Sequence, residues 1–238
     1  MKCRLVRRRR IEGAIRRIDV AVIIAVILVL VAAGIFSTSR LQERALRLQC
    51  GGNLKQIGLA LQLYARDYKG LLPDCSRENP QLTGPGWPWD INTNLTDILM
   101  AKGVTRPMFY CPANPKMNDD RHWDFWKQVP GAVRVTSYGM LFKGVQQVPP
   151  KLWHADLSGV NGTAPAEDEL GFDATACVND DYTAITGIWV DRSNHIRKKN
   201  PLGGNILFLD GHVQWRDFSD MDVRFNTIGP GGPVLWSY

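Results

Sequence analysis

From Val20 to Phe36 the chain reads VAVIIAVILVLVAAGIF, a run of seventeen residues without a charge. At ~1.5 Å of rise per residue, a helix of that length extends roughly 25 Å, the short end of what crosses a bilayer. Its β-branched residues are no obstacle, because a lone segment in lipid satisfies its backbone polar groups only as a helix. Residues 1–18 hold Lys2, Arg4, Arg7, Arg8, Arg9, Arg10, Arg16 and Arg17 against Glu12 alone, a balance of +7. That asymmetry holds the N-terminus in the cytoplasm and sends the remainder across the membrane. A cleaved secretory signal is the competing reading, but the apolar run is long for one. Ser37-Thr38-Ser39 is also a mediocre cleavage site.

The formal net charge of +6 therefore belongs to the tip, since residues 19–238 sum to −1. No domain-wide basic face remains to argue for a nucleic-acid partner. A mean hydropathy of −0.19 excludes a polytopic membrane protein, and 45% hydrophobic residues exclude a disordered chain. Export changes how the cysteines read. Cys3 would stay in the reducing cytoplasm, whereas Cys50, Cys75, Cys111 and Cys177 would reach a compartment where disulfides persist. Four cysteines allow three pairings, and the sequence does not choose among them. With no CxxC pair present, a zinc site is not expected.

Helical periodicity continues past the apolar run. Leu41, Ala45, Leu48, Leu54, Ile57, Gly58, Leu61, Tyr64, Ala65 and Tyr68 recur at steps of three and four. Gly51-Gly52 interrupts them at a cost of ~1 kcal/mol per glycine, which predicts a kink or a local melt. Gly70 followed by Pro73 supplies the stop. The chain thus divides into a basic cytoplasmic leader (1–18), a transmembrane helix (19–36), an amphipathic continuation (37–72) and an exported, loop-rich β head (73–238). The apolar stripe of the continuation needs a cover.

Within the head, residues 73–96 read as a loop and 95–102 as a short helix. FYCP (109–112), VRVTSYGMLF (133–142) and ITGIWV (185–190) read as strands. The clearest local signal is GGNILFLDGHVQWRDF at 203–218. Asp210-Gly211 between two alternating runs predicts a two-residue type I′ hairpin. That register sets Phe208 against Val213 and Ile206 against Trp215, an apolar face suited to lie under the helical stripe. The fold class is α+β: a long N-terminal transmembrane and amphipathic helix packed on a small antiparallel sheet with long loops.

The charged tip, the apolar helix and CGGNLKQIGLALQLYARDYKGLLPD together resemble type IV pilins and the pseudopilins of type II secretion. FYCP, TSYG (136–139) and NILFLDGHV (205–213) resemble one subgroup, the prepilin-type proteins whose processing-associated C-terminal domain carries a His followed after nine residues by Asp-Gly. The motif region here is 185–216, with His195, Asp210 and Gly211 as its residues. The resemblance implies a pilin-like fold, processing by a prepilin peptidase and assembly with other pilin-like subunits. Aligning the prepilin site on Ile18-Asp19 puts Ala14 where the family has Gly and makes Ile15 the first mature residue. Asp19 then stands where the family's Glu pairs with a neighbour's N-terminal amine, an attraction that gains strength in low dielectric. The His-to-Asp spacing also departs from the family, with fourteen intervening residues.

His195, Asp210 and His212 invite a catalytic reading, but Asp210 is first of all a turn residue. No GxSxG, HExxH, P-loop or dinucleotide fingerprint is present. The expectation is a non-enzymatic protein without a cofactor. Calcium is the ion that the pseudopilin resemblance implies, with Asp180, Asp181 and Asp191 as candidate oxygen ligands. Trp87, Trp89, Trp123 and Trp126 fall in loops and motivate an alternative, a permanently anchored module that binds a glycan or a protein through exposed aromatics. The expected protein is a single-pass inner-membrane pseudopilin-like subunit with its head in the periplasm or outside the cell.

Overall fold

The computed structural model describes residues 17–127, 132–160, 162–183, 185, 192–229 and 232–238. The chain separates into two units, Met1–Glu43 and Arg44–Tyr238. Helix α1 (Arg17–Asp67) spans 51 residues and supplies both. In the first unit the described side chains of the uncharged run extend to Val31, and every large one from Ile23 onward is more than half exposed. Among the described residues no helix is long and apolar enough to cross a membrane.

In the second unit Cys50, Leu54, Ile57, Leu61 and Tyr64 form a buried stripe on α1, at the three- and four-residue steps of the sequence pattern. The helix runs through Gly51-Gly52 without the expected melt. It ends five residues short of Leu72, where Lys69 and Gly70 turn left-handed (φ 57° and 88°) and the Gly70 N–H bonds back to Ala65 O at 2.7 Å.

After α1 come β1 (Asp90–Asn92), α2 (Thr93–Ala101), the one-turn α3 (Asp120–Trp123), β2 (Val133–Val135) and β3 (Tyr138–Met140). Next are β4 (Glu169–Asp173), β5 (Ala176–Cys177), β6 (Ile196–Arg197) and β7 (Asn200–Pro201). The chain closes with β8 (Gly203–Phe208), β9 (Val213–Asp217), β10 (Val223–Gly229) and β11 (Gly232–Ser237). Among the described residues these strands pair antiparallel, in sheets ordered β3-β4-β8-β9, β10-β11-β5, β1-β2 and β6-β7. The architecture is α+β, as the sequence implies. FYCP is not a strand: Arg106–Phe109 is a 3-10 turn opened by Pro107 near its start, where a missing N–H costs no hydrogen bond. The 185–190 strand, apart from Ile185, lies outside the described residues.

The β8–β9 hairpin exists but its register differs by one residue, pairing Leu207 with Val213 and Asn205 with Trp215. A type I′ turn requires positive φ at both Asp210 and Gly211, and only Gly211 (φ 85°) has it. The loop is instead Leu209-Asp210-Gly211, closed by Gly211 N–H to Phe208 O (2.8 Å) and Phe208 N–H to His212 O (2.9 Å). Leu209 N–H and Asp210 N–H donate to Asp168 O and Pro165 O, which hold the extra residue in place. The shift exchanges the faces of β8, so Leu207 and Asn205, not Ile206 and Phe208, meet α1. Lys55 Nζ donates to Gly211 O at 2.6 Å and Gln62 Nε2 to Asp210 O at 2.7 Å, which fixes the turn on the helix.

Candidate functional site

Four elements converge beneath α1. Cys50 lies on the buried stripe, so helical periodicity alone turns its thiol inward. Cys111 follows the 3-10 turn, which is held by Ser137 N–H donating to Phe109 O at 3.0 Å. Asp173 ends β4, paired with Tyr138 of β3. His195 precedes β6 in a left-handed conformation (φ 48°), uncommon for a residue other than glycine. Asn194 N–H to Ala174 O and Leu202 N–H to His195 O, both 2.9 Å, hold it there.

The four side chains are fully enclosed, and their ligand atoms all lie within 4.8 Å of one another. The Cys50 and Cys111 sulfurs are 3.3 Å apart without a bond. The Cys50 thiol donates to Asp173 Oδ1 at 3.0 Å, and Cys111 Sγ meets His195 Nε2 at 3.3 Å. His195 Nε2 stands 3.5 Å from Asp173 Oδ2. Around this group, Asn205 gives its backbone N–H (2.8 Å) and Nδ2 (3.0 Å) to Asp173 Oδ2, and Asn194 Nδ2 gives 3.0 Å to Oδ1. Tyr138 Oη lies 3.3 Å from Cys50 Sγ, and the Trp215 indole packs edge-on to the His195 ring.

Burial pushes the Asp173 carboxyl upward, but the His195 charge and the hydrogen bonds from His195, Cys50 and Asn205 outweigh it and hold the group below its ordinary value. The Cys50 thiol is driven well up, first by burial and then by Cys111 and Asp173. Burial also raises the Cys111 thiol, with Asp173 adding to the rise. The result is an ionised carboxylate and an imidazole beside two protonated thiols in a region closed to water. Such a set can close a disulfide when an external two-electron oxidant takes the electrons or, by losing the thiol protons, take up a thiophilic cation.

Sequence reasoning singled out Cys50, Cys111 and His195 for separate reasons and did not name Asp173. Cys50 and Cys111 are 61 positions apart and Cys111 and His195 are 84, so no local spacing motif announces the group. The useful signal was Cys50 in register with Leu54 and Ile57, an inward position on a helix that the sequence already implied.

The other candidates lie elsewhere. Cys75 and Cys177 are buried free thiols, Cys75 being raised to about 12 by burial and by Asp74. Asp210 is in the exposed β8–β9 turn, where its Oδ1 accepts from His212 N–H at 2.9 Å; it is not part of the His195 group. Asp19 sits in the first turn of α1, while Ala14 and Ile15 lie outside the described residues. Asn179 and Asp180 (φ 51° and 62°) are the two central residues of a tight turn closed by Val178 and Asp181, and Asp181 Oδ1 accepts from Thr183 N–H and Oγ1. Asp191, the third calcium candidate, lies outside the described residues. Among the loop tryptophans, Trp89 is buried against Trp236 with ring centroids 4.5 Å apart, and Trp87 and Trp123 pack on the core.

Residues 40–99 match the model of a family described as a protein of unknown function, DUF1559. No curated protein and no solved structure matches the chain. The matched segment holds Cys50 and the buried stripe of α1, and the other three members of the cluster lie beyond it.

Proposed function

We propose that this chain is a non-enzymatic, pseudopilin-like subunit or accessory of a type II secretion or type IV pilus-like assembly. It would be anchored in the bacterial inner membrane by its N-terminal helix, with its head outside the cytoplasm. The observation that carries this reading is the apolar surface of α1: from Ile23 to Val31 every large side chain is more than half exposed, whichever way it points. A helix apolar on all sides needs lipid or other apolar helices around it. The tip at residues 1–18, with its balance of +7, orients it. The pilin-like sequence of residues 50–74 supports the same reading, as does the burial of the α1 stripe under an antiparallel sheet.

Assembly would proceed by packing of N-terminal helices, with Asp19 setting their register and a prepilin peptidase cutting between Ala14 and Ile15. Chemical cross-linking in intact membranes tests this. Wild-type chain should give dimers and higher species, and Asp19→Ala should reduce them several-fold while the head keeps its thermal unfolding transition. Undiminished cross-linking in the variant would overturn the register role, and monomer alone in wild type would overturn assembly.

A further inference from the structure

We propose that Cys50, Cys111, Asp173 and His195 are the ligands of a structural zinc ion that ties helix α1 to the sheet and loops of the head. The donor set suits that metal: two thiolates and an imidazole favour zinc over calcium or magnesium, and a carboxylate oxygen completes a common fourfold shell. The geometry is close to what the ion requires. Metal–ligand distances of about 2.0–2.3 Å in a tetrahedron imply donor separations of about 3.3–3.8 Å. The separations here are 3.0 Å for Cys50 to Asp173, 3.3 Å for Cys50 to Cys111, 3.3 Å for Cys111 to His195 and 3.5 Å for His195 to Asp173. The remaining separations are no longer than 4.8 Å, so the donors rearrange locally to surround an ion at the centre.

The surroundings support the same conclusion. Zinc sites hold their ligands through outer hydrogen bonds, and the Asp173 carboxylate already receives them from Asn205 and Asn194. All four ligands come from protein and all are buried, which describes a closed structural site with no position left for substrate. Binding would release the two thiol protons and leave zinc, two thiolates, carboxylate and neutral imidazole with a formal charge of −1. The same four groups without a cation bury polar and charged atoms at a desolvation cost that a bound cation offsets. A pocket of about 190 Å³ bordered by Gln49, Asn53, Tyr110 and Cys111 lies beside the group.

The rival chemistry is a Cys50–Cys111 disulfide, which needs the sulfurs to close from 3.3 Å to about 2.05 Å and gives Asp173 and His195 no shared task. Zinc binding does not depend on the membrane reading, and the test separates the two. The full chain, purified in detergent without chelator, would be analysed for metal and for thiol state by intact mass. The expected result is one equivalent of zinc on a chain with Cys50 and Cys111 reduced. Cys111→Ser and His195→Gln should lose most of it, and Cys177→Ser should keep it. Wild-type chain stripped of metal and given cobalt(II) provides a readout independent of how the ligand variants fold. Thiolate-to-cobalt charge transfer and tetrahedral d–d bands are expected. A metal-free chain two mass units light, with Cys50 joined to Cys111, would overturn the proposal. So would a reduced chain that takes up neither zinc nor cobalt.

Discussion

Gly58 of α1 and Leu207 of β8 approach so closely that a Cβ on the glycine would come within 2.7 Å of the leucine Cδ1. The glycine is there to let helix and sheet touch, and it sits one turn from Leu54 and Leu61 on the buried stripe. Gly52 is different, since a Cβ there meets nothing within 4 Å. Gly58→Val should therefore destabilise the head by about 1–3 kcal/mol through overpacking. Gly52→Ala should stabilise it by about 1 kcal/mol through helix propensity. Denaturant midpoints of the two variants check both signs.

The turn at Asp210-Gly211 is clamped to α1 by Lys55 and Gln62. Removing both side chains, as Lys55→Ala with Gln62→Ala, should cost about 0.5–1.5 kcal/mol per bond. Hydrogen exchange should quicken at the Phe208 and Gly211 amides, which close the loop, and stay unchanged at Phe172 in the sheet centre. Equal acceleration at all three would show that the clamp acts on the whole head.

Asp90 lies under the Trp87–Trp89 segment, where Gly86 N–H and Trp87 N–H donate to its Oδ2 at 3.2 and 3.1 Å. Burial pushes its carboxyl up to about 7 from 3.8, against the pull of those two donors. Between those values the folded chain keeps a proton that the unfolded chain has lost. The folded state then binds more protons, so stability falls as pH rises through this window. Asp90→Asn keeps an acceptor for both N–H groups without a charge to bury. The variant should lose that downward slope and be the more stable protein at pH 7, as thermal unfolding from pH 4 to 7 would reveal.

How far the sequence carried depends on whether the determining contacts are local. The α1 stripe from Leu54 to Tyr64 and the stop at Gly70 follow from periodicity and backbone preference alone, and both are found. The Asp210-Gly211 turn was legible as a turn. Its register was not, because Leu209 and Asp210 are held by Asp168 and Pro165, some forty residues earlier in the chain. Asn179-Asp180 reads as acidic ligands by composition but serves as a turn by conformation. Gly51 looked like a helix breaker, yet a Cβ there would lie 3.0 Å from Asn205 Oδ1, so its small size makes room for the side chain that hydrogen-bonds Asp173. The Cys50, Cys111, Asp173 and His195 group was hidden for the same reason as the register: only the tertiary fold assembles it.

The most direct test of the proposed function is fractionation of native cells followed by N-terminal sequencing of the recovered chain. Anchoring through Val20–Phe36 and processing at Ala14 predict a chain that carbonate washing leaves in the membrane, that detergent releases, and that begins at Ile15. A chain recovered in the soluble fraction and beginning near Leu41 would contradict both.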